Sequence, residues 1–264
     1  MSRIITGLSA AGIWCLIIYI NSFYLIWVTI TLLAVVGIWE YIDITLENER
    51  VLYKALIVFL GAIPLLCSLS LDLNLIVTGL MTGFILNCIL AVFSYSRVIN
   101  PFHNLLHGSF AIIYIGFCAS FLVMVMSFAD GALLLLLLTA ITAASDSGAY
   151  FTGINLGRKK LVPRLSPGKT TAGLLGGFLS GSAAAFIVGL LFLCHRSLPA
   201  IALTAVLLVG LATIGDFTES VIKRDQKIKN SGSLLPGHGG ILDRFDSLLL
   251  NGPLFYYLVY WGVI

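Results

Sequence analysis

Charge is scarce in this chain. Of its 264 residues only 10% are Asp, Glu, Lys or Arg, while 59% are hydrophobic. An ordinary soluble domain carries about 25% charged residues, so a soluble globular fold is excluded. Proline is also sparse, with seven in the chain. The apolar stretches run unbroken for about 20 residues, the length that crosses a bilayer as a helix. A regular apolar/polar alternation is missing, which excludes a transmembrane barrel. No cleavable leader is expected, because the first apolar run lacks a small-residue cleavage site and leads directly into a second. The five cysteines, Cys15, Cys67, Cys88, Cys118 and Cys194, show no close pair and no metal-ligand spacing. That predicts core packing for them. A net charge of +3 gives no reason to expect a nucleic-acid partner.

What is present is a set of long apolar runs. They predict an all-α integral membrane protein, a polytopic bundle of about nine transmembrane helices. The expected spans are 4–20, 23–41, 54–71, 74–94, 108–128, 131–151, 173–194, 198–221 and 246–264. Residues 1–130 read as a lipid-facing scaffold, and 131–264 as the half that carries a site. Basic residues alternate sharply between the connections. Arg3, Arg50, Lys54, Arg97, the loop with Arg158, Lys159, Lys160, Arg164 and Lys169, and the loop with Lys223, Arg224, Lys227, Lys229 and Arg244 fall on one side; only Arg196 falls on the other. The positive-inside rule puts the N-terminus and both basic loops in the cytoplasm and the C-terminus outside. In a bacterial cell this is a multi-pass protein of the inner membrane with a cytoplasmic functional face.

The first five spans are chemically plain. Glu40 and Asp43 end the second span, and Glu47, Glu49 and Arg50 form an interfacial segment. His103 and His107 stand four apart as an interfacial pair without a third ligand. Trp14, Trp27 and Trp39 fit packing or interfacial anchoring. From the sixth span onward the character changes. Asp146 follows six consecutive leucines, and an acid in such a place faces a bundle interior or a watery cavity. The next loop reads Ser166-Pro167-Gly168-Lys169-Thr170. Its Gly-Lys-Thr is not a P-loop, since the required first glycine is Pro163. A short turn of this kind, with Lys169 and Thr170, suits a phosphate all the same. Gly173, Gly177 and Gly181 form a small-residue stripe for close helix packing, either within one chain or between the chains of a homodimer.

The densest chemistry lies between Asp216 and Asp246, which holds ten of the 27 charged residues. On a helix, Asp216, Glu219, Ser220 and Lys223 share one arc of about 100°. Asp243 and Asp246, three apart, share a face at the start of the last span. Pro236-Gly237-His238-Gly239-Gly240 between them makes a tight turn able to bring backbone N–H groups to a ligand. Carboxylates from two helix ends, ringed by Lys and Arg, fit a hard divalent cation together with substrate phosphates.

These residues resemble a known family. Ser220-x-x-Lys223-Arg224, Lys229, and Pro236-Gly237-His238-Gly239-Gly240-x-x-Asp243-Arg244-x-Asp246 are similar to the signature of the phosphatidate cytidylyltransferases, or CDP-diacylglycerol synthases. Asp146-x-x-Ala149-Tyr150-Phe151-x-Gly153 and Ser166-Pro167-Gly168-Lys169-Thr170 resemble further family motifs in the same order. The resemblance implies the reaction of CTP with phosphatidic acid to CDP-diacylglycerol and pyrophosphate, in phospholipid biosynthesis. It implies Mg²⁺, as one ion or as two with a monovalent second, and metal-holding roles for Asp146, Asp216, Asp243 and Asp246. Ser220, Lys223 and His238 join the three later acids as catalytic candidates. Lys169, Thr170, Arg224, Lys229, Gly239, Gly240 and Arg244 would bind substrate. Two positions depart from the family pattern: Asn230 follows Lys229 where the family has Asp, and Thr171-Ala172 stands before Gly173 where the family has Trp-Glu. The two missing carboxylates bear on the metal shell and on the choice of lipid acceptor.

Two other readings remain at this point. A CTP-dependent lipid kinase, or a cytidylyltransferase for another lipid phosphate, would share the metal and differ in acceptor. A cation-coupled transporter using Asp146 and Asp216 would need midplane acids between inverted repeats, and the sequence shows acids gathered at one face.

Overall fold

The computed structural model describes residues 2–228, 231–232 and 239–264, with side chains from residue 7 onward. It is an all-α polytopic membrane protein. Seven of its helices are long and apolar enough to cross a bilayer. Large apolar side chains such as Leu175, Leu179, Ile187 and Ile214 lie exposed on them, which suits lipid and not water. The chain forms two compact units, residues 1–129 with 228–245, and residues 130–227 with 246–264.

The first unit begins with α1 (Ser2–Ile20), α2 (Phe23–Thr45), α3 (Val51–Cys67) and α4 (Leu73–Phe93). The Asp72 carboxylate accepts from Asn74 N at 2.8 Å and caps α4. A further span, Pro101–Ser127, is wound in pieces: α5 (Pro101–Phe110), a π-helical stretch (Ala111–Phe117), α6 (Cys118–Met124) and a closing 3₁₀ turn. Gly116 lies in the π stretch, where an added Cβ would land on the carbonyl oxygen of Gly61. The π winding occurs where two backbones meet without side chains between them. Ile26, Ile30, Ile38, Ile42, Ile57, Leu65, Ile76, Ile112 and Ile115 fill the core and are almost wholly buried. Two buried polar side chains there show how such groups find partners. Asn87 donates to Leu105 O and Ser109 Oγ, both at 3.1 Å, and Lys54 pairs with Asp43 at 2.8 Å. The rings of His103 and His107 lie 4.2 Å apart between centroids and are tilted by 56° to each other. His107 Nδ1 is hydrogen-bonded to Tyr41 Oη at 2.6 Å.

The second unit contains α7 (Gly131–Leu156), a hairpin of β1 (Lys160–Val162) and β2 (Ser166–Thr170), α8 (Thr171–Phe192), α9 (Leu198–Asp225) and α11 (Asn251–Tyr260). The hairpin is antiparallel, with Lys160 opposite Thr170. Its presence corrects the expectation of a plain loop at 152–172. β2 ends directly in α8, whose first turn is capped by Thr170 Oγ1 accepting from Gly173 N at 3.0 Å. The glycine stripe packs against α7: a Cβ at Gly173 would stand 2.8 Å from Ala149 O, and one at Gly177 3.2 Å from Ser145 O. The stripe is therefore used inside the chain.

Several details differ from the expected spans. The last span is not one helix, because α10 (Leu242–Leu249) breaks from α11 at Leu250. Pro253 has no N–H for the carbonyl of Leu249, and its ring crowds that turn. The division between the two units falls within α10, between Phe245 and Asp246. Several helices overrun the expected spans, α2 to Thr45, α7 to Leu156 and α9 to Asp225, because polar residues continue a helix once it leaves an apolar slab. Of the cysteines only Cys118 is buried, and Cys15 and Cys194 are exposed.

At the turn before α7, Asp130 accepts from Arg196 Nη2 at 3.2 Å and is hydrogen-bonded to His195 Nε2 at 2.9 Å. Burial alone would raise this carboxyl, but the two hydrogen bonds and the charges behind them hold it below its ordinary value. A depressed carboxylate contributes stability above its unfolded value and loses it as pH falls through the folded one. Asp130→Asn should therefore melt below wild type at neutral pH, and the gap should close as pH drops below about 3.9. Melting curves of both proteins in detergent check this.

Candidate active site

The second unit gathers three acids. Among the described residues, carboxylate oxygens of Asp216 and Glu219 on α9 and of Asp246 on α10 all lie within 4.8 Å of one another. The helical arc read from the sequence accounts for the first two. Gly215 accounts for the third: a Cβ there would stand 2.6 Å from the carbonyl oxygen of Asp246, so only glycine lets α10 close onto α9. Glu219 is 2% exposed and Asp246 4% exposed, a cost no fold bears for unpaired charge.

Cations answer part of that charge. Lys169, from β2, forms an ion pair with Asp216, and its Nζ lies 4.2 Å from the centroid of the Phe217 ring. Lys223 donates to Glu219 Oε2 at 2.7 Å, one helical turn along. Asp246 Oδ1 accepts from its neighbour Ser247, from N at 2.6 Å and from Oγ at 3.0 Å. Among the described residues, three carboxylates and two ammonium groups thus meet here. A close set of carboxylate oxygens is the donor set that hard divalent cations take.

The expected residues fall into groups. Asp216, Asp246, Lys169 and Lys223 come together, and Ser220 is buried beside them on α9. Arg224 donates from Nε to Leu165 O at 3.1 Å, holding the hairpin. The Thr170 hydroxyl serves the α8 cap. Asp146 lies on an exposed face of α7 and is not one of the three gathered acids. In the first unit, Asp243 Oδ2 accepts from Gly240 N at 2.9 Å and Ser231 N at 3.1 Å. Gly239 has φ +83°, a left-handed conformation that a side chain would strain. Arg244 is exposed. Lys229 and His238 lie outside the described residues. Glu219 shares the helical arc with Asp216 but carries no metal role in the family resemblance; its sequence signal is its position one turn from both Asp216 and Lys223.

The chain is similar to several known proteins. The uncharacterised protein YnbB of Escherichia coli (strain K12) is 37% identical over 222 residues, which cover 84% of this chain and 70% of that protein. The phosphatidate cytidylyltransferase of Haemophilus influenzae is 39% identical over 135 residues, 50% of this chain and 47% of that protein. The phosphatidate cytidylyltransferase of Bacillus subtilis (strain 168) is 38% identical over 154 residues, 56% of each. The matched region thus spans about half the length of these two enzymes. The profile of the cytidylyltransferase family reaches much further, from residue 1 to residue 261, and on that extent of match the chain belongs to the cytidylyltransferase family.

Proposed function

We propose that this protein is a phosphatidate cytidylyltransferase that converts CTP and phosphatidic acid to CDP-diacylglycerol and pyrophosphate with Mg²⁺. The observation that carries the reading is the acid–lysine cluster of Asp216, Glu219, Asp246, Lys169 and Lys223 in the second unit. Relatives named as phosphatidate cytidylyltransferases support it.

In the proposed reaction an oxygen of the lipid phosphate attacks the α-phosphorus of CTP. That P–O bond forms as the α–β bridge breaks, and pyrophosphate leaves with its electron pair. The lipid phosphate is already an anion, so no protein nucleophile or general base is required. What the protein supplies is placement and charge. Asp216, Glu219 and Asp246 would hold the metal, which supplies charge neutralisation on phosphate oxygens. Lys169 and Lys223 stand at the edge of the acids, so a phosphate arriving there meets both a negative socket and two ammonium groups. Asp146, Asp243, Arg224, Arg244, Lys229, His238, Ser220, Gly239 and Gly240 remain candidates for substrate or metal contact through their family positions.

The same reading places nine crossings in the membrane, with α1 and the α10–α11 pair added to the seven long helices. It puts the N-terminus and the site at the cytoplasmic face of the inner membrane, with the C-terminus outside. The bias of basic residues toward one set of loops supports this. CTP then arrives from water, and phosphatidic acid arrives from the bilayer.

The test is turnover by purified protein in detergent–lipid micelles with phosphatidic acid, CTP and Mg²⁺, reading pyrophosphate and the lipid product. Pyrophosphate release that stops with EDTA is the expected result. Release of CDP in place of pyrophosphate would establish a kinase. Binding of CTP without turnover on phosphatidic acid would point to another lipid phosphate as acceptor.

A further inference from the structure

Glu40 is an acid inside an apolar helix. It lies on α2, five residues from its end, and is 5% exposed. Both of its carboxylate oxygens are used, and all of their recorded donors come from a segment some 200 residues later in the chain. Oε1 accepts from Ile241 N at 3.0 Å. Oε2 accepts from Leu242 N at 2.9 Å and from Ser231 Oγ at 3.4 Å. Ile241 and Leu242 open α10, where backbone N–H groups have no partner within the helix. A carboxylate placed there satisfies them and meets the positive end of the helix dipole.

The sequence around these donors is shaped to admit Glu40. A Cβ at Gly240 would stand 2.8 Å from the Glu40 carboxyl carbon, and one at Gly232 2.9 Å from it. Gly37, one turn before Glu40, lies beside the Leu242 side chain, whose Cδ1 would make ordinary contact at 3.8 Å with a Cβ there. Asp243 holds the same turn from within, through Gly240 N and Ser231 N. Gly239 and Gly240 therefore have separate reasons to be glycine: the first for its left-handed backbone, the second for the space that Glu40 occupies.

We propose that Glu40 is a positioning residue for the proposed cytidylyl transfer. It latches the start of α10 to α2 and so fixes the helix that carries Asp246 one turn further on. It touches no substrate and acts through the backbone of Ile241 and Leu242. The proposal deepens the proposed function and rests on it for its turnover readout.

The test compares Glu40→Gln with the wild-type full chain. Gln is nearly the same size but keeps one acceptor oxygen and turns an NH₂ toward an amide donor. Loss of a hydrogen bond to a charged group is worth about tenfold or more. Hydrogen exchange at the Ile241 and Leu242 amides should rise about tenfold in Glu40→Gln, with the remaining helices unchanged. The Mg²⁺ concentration for half-maximal turnover should rise by a similar factor, with kcat at saturating Mg²⁺ within about threefold of wild type. Unchanged exchange would overturn the latch. So would a uniform loss of kcat at unchanged Mg²⁺ dependence, which is what a merely structural residue gives. Wild type that fails to turn over would sink the cytidylyltransferase reading instead, and exchange would still judge the hold of Glu40 on α10.

Discussion

Asp246→Asn is expected to lower turnover about a thousandfold while the protein stays folded. Loss of one group that stabilises developing charge costs up to about 10³ in kcat, and Asp246 sits with two other acids where such a group would hold a metal. The change is nearly isosteric. An Asn Oδ1 still accepts from Ser247 N and Oγ, the two bonds that Asp246 Oδ1 makes, so the local turn survives. What the variant removes is one carboxylate from the cluster of three acids. Turnover with phosphatidic acid, together with a melting curve in the same detergent, checks both halves. Near-normal turnover from a folded Asp246→Asn protein would remove this acid from the proposed metal shell. Asp216→Asn is a weaker probe, since it also releases Lys169 from its ion pair.

Gly116→Ala is the largest stability change expected in the first unit. The methyl group would land on the carbonyl oxygen of Gly61. That obstacle is backbone in the middle of α3, and it cannot rotate away as a side chain would. Overpacking of this kind costs about 1–3 kcal/mol, and here the relief must come from separating α3 from the π-helical stretch. The melting temperature in detergent should fall by several degrees, at the scale of about 2–4 °C for each kcal/mol in a chain of this size. Unchanged melting would mean the π stretch can rewind to accept a side chain. The expected contrast is Gly168→Ala in the hairpin, where nothing lies within 4 Å of an added Cβ and little change should follow.

Membrane residence, helical class and the shared helix face of Asp216, Glu219, Ser220 and Lys223 were legible in the sequence. The reason is that each rests on local physics. A bilayer imposes its thickness on any helix that crosses it, so apolar length reveals the spans. A helix imposes its period, so Asp216, Glu219, Ser220 and Lys223 could be put on one face before any fold was known.

Tertiary structure decided the rest, because it depends on which distant segments meet. Asp243 and Asp246 share a short helix, yet Asp246 joins Glu219 and Asp216 while Asp243 bonds the backbone of Ser231 and Gly240. Three residues of separation put two acids on similar arcs of α10, but only the surroundings determine what each acid meets. Lys169 reads in the sequence as the lysine of a phosphate-suited turn, and in the fold a β-hairpin delivers it to Asp216. The segment 228–245 belongs with the N-terminal helices, although nothing in its composition ties it to them. Glu40 is the plainest case. In the sequence it is an acid near the end of an apolar helix; in the fold, two N–H groups and a hydroxyl some 200 residues away converge on it. A buried carboxylate must find donors somewhere, and the sequence shows that demand without showing where it is met.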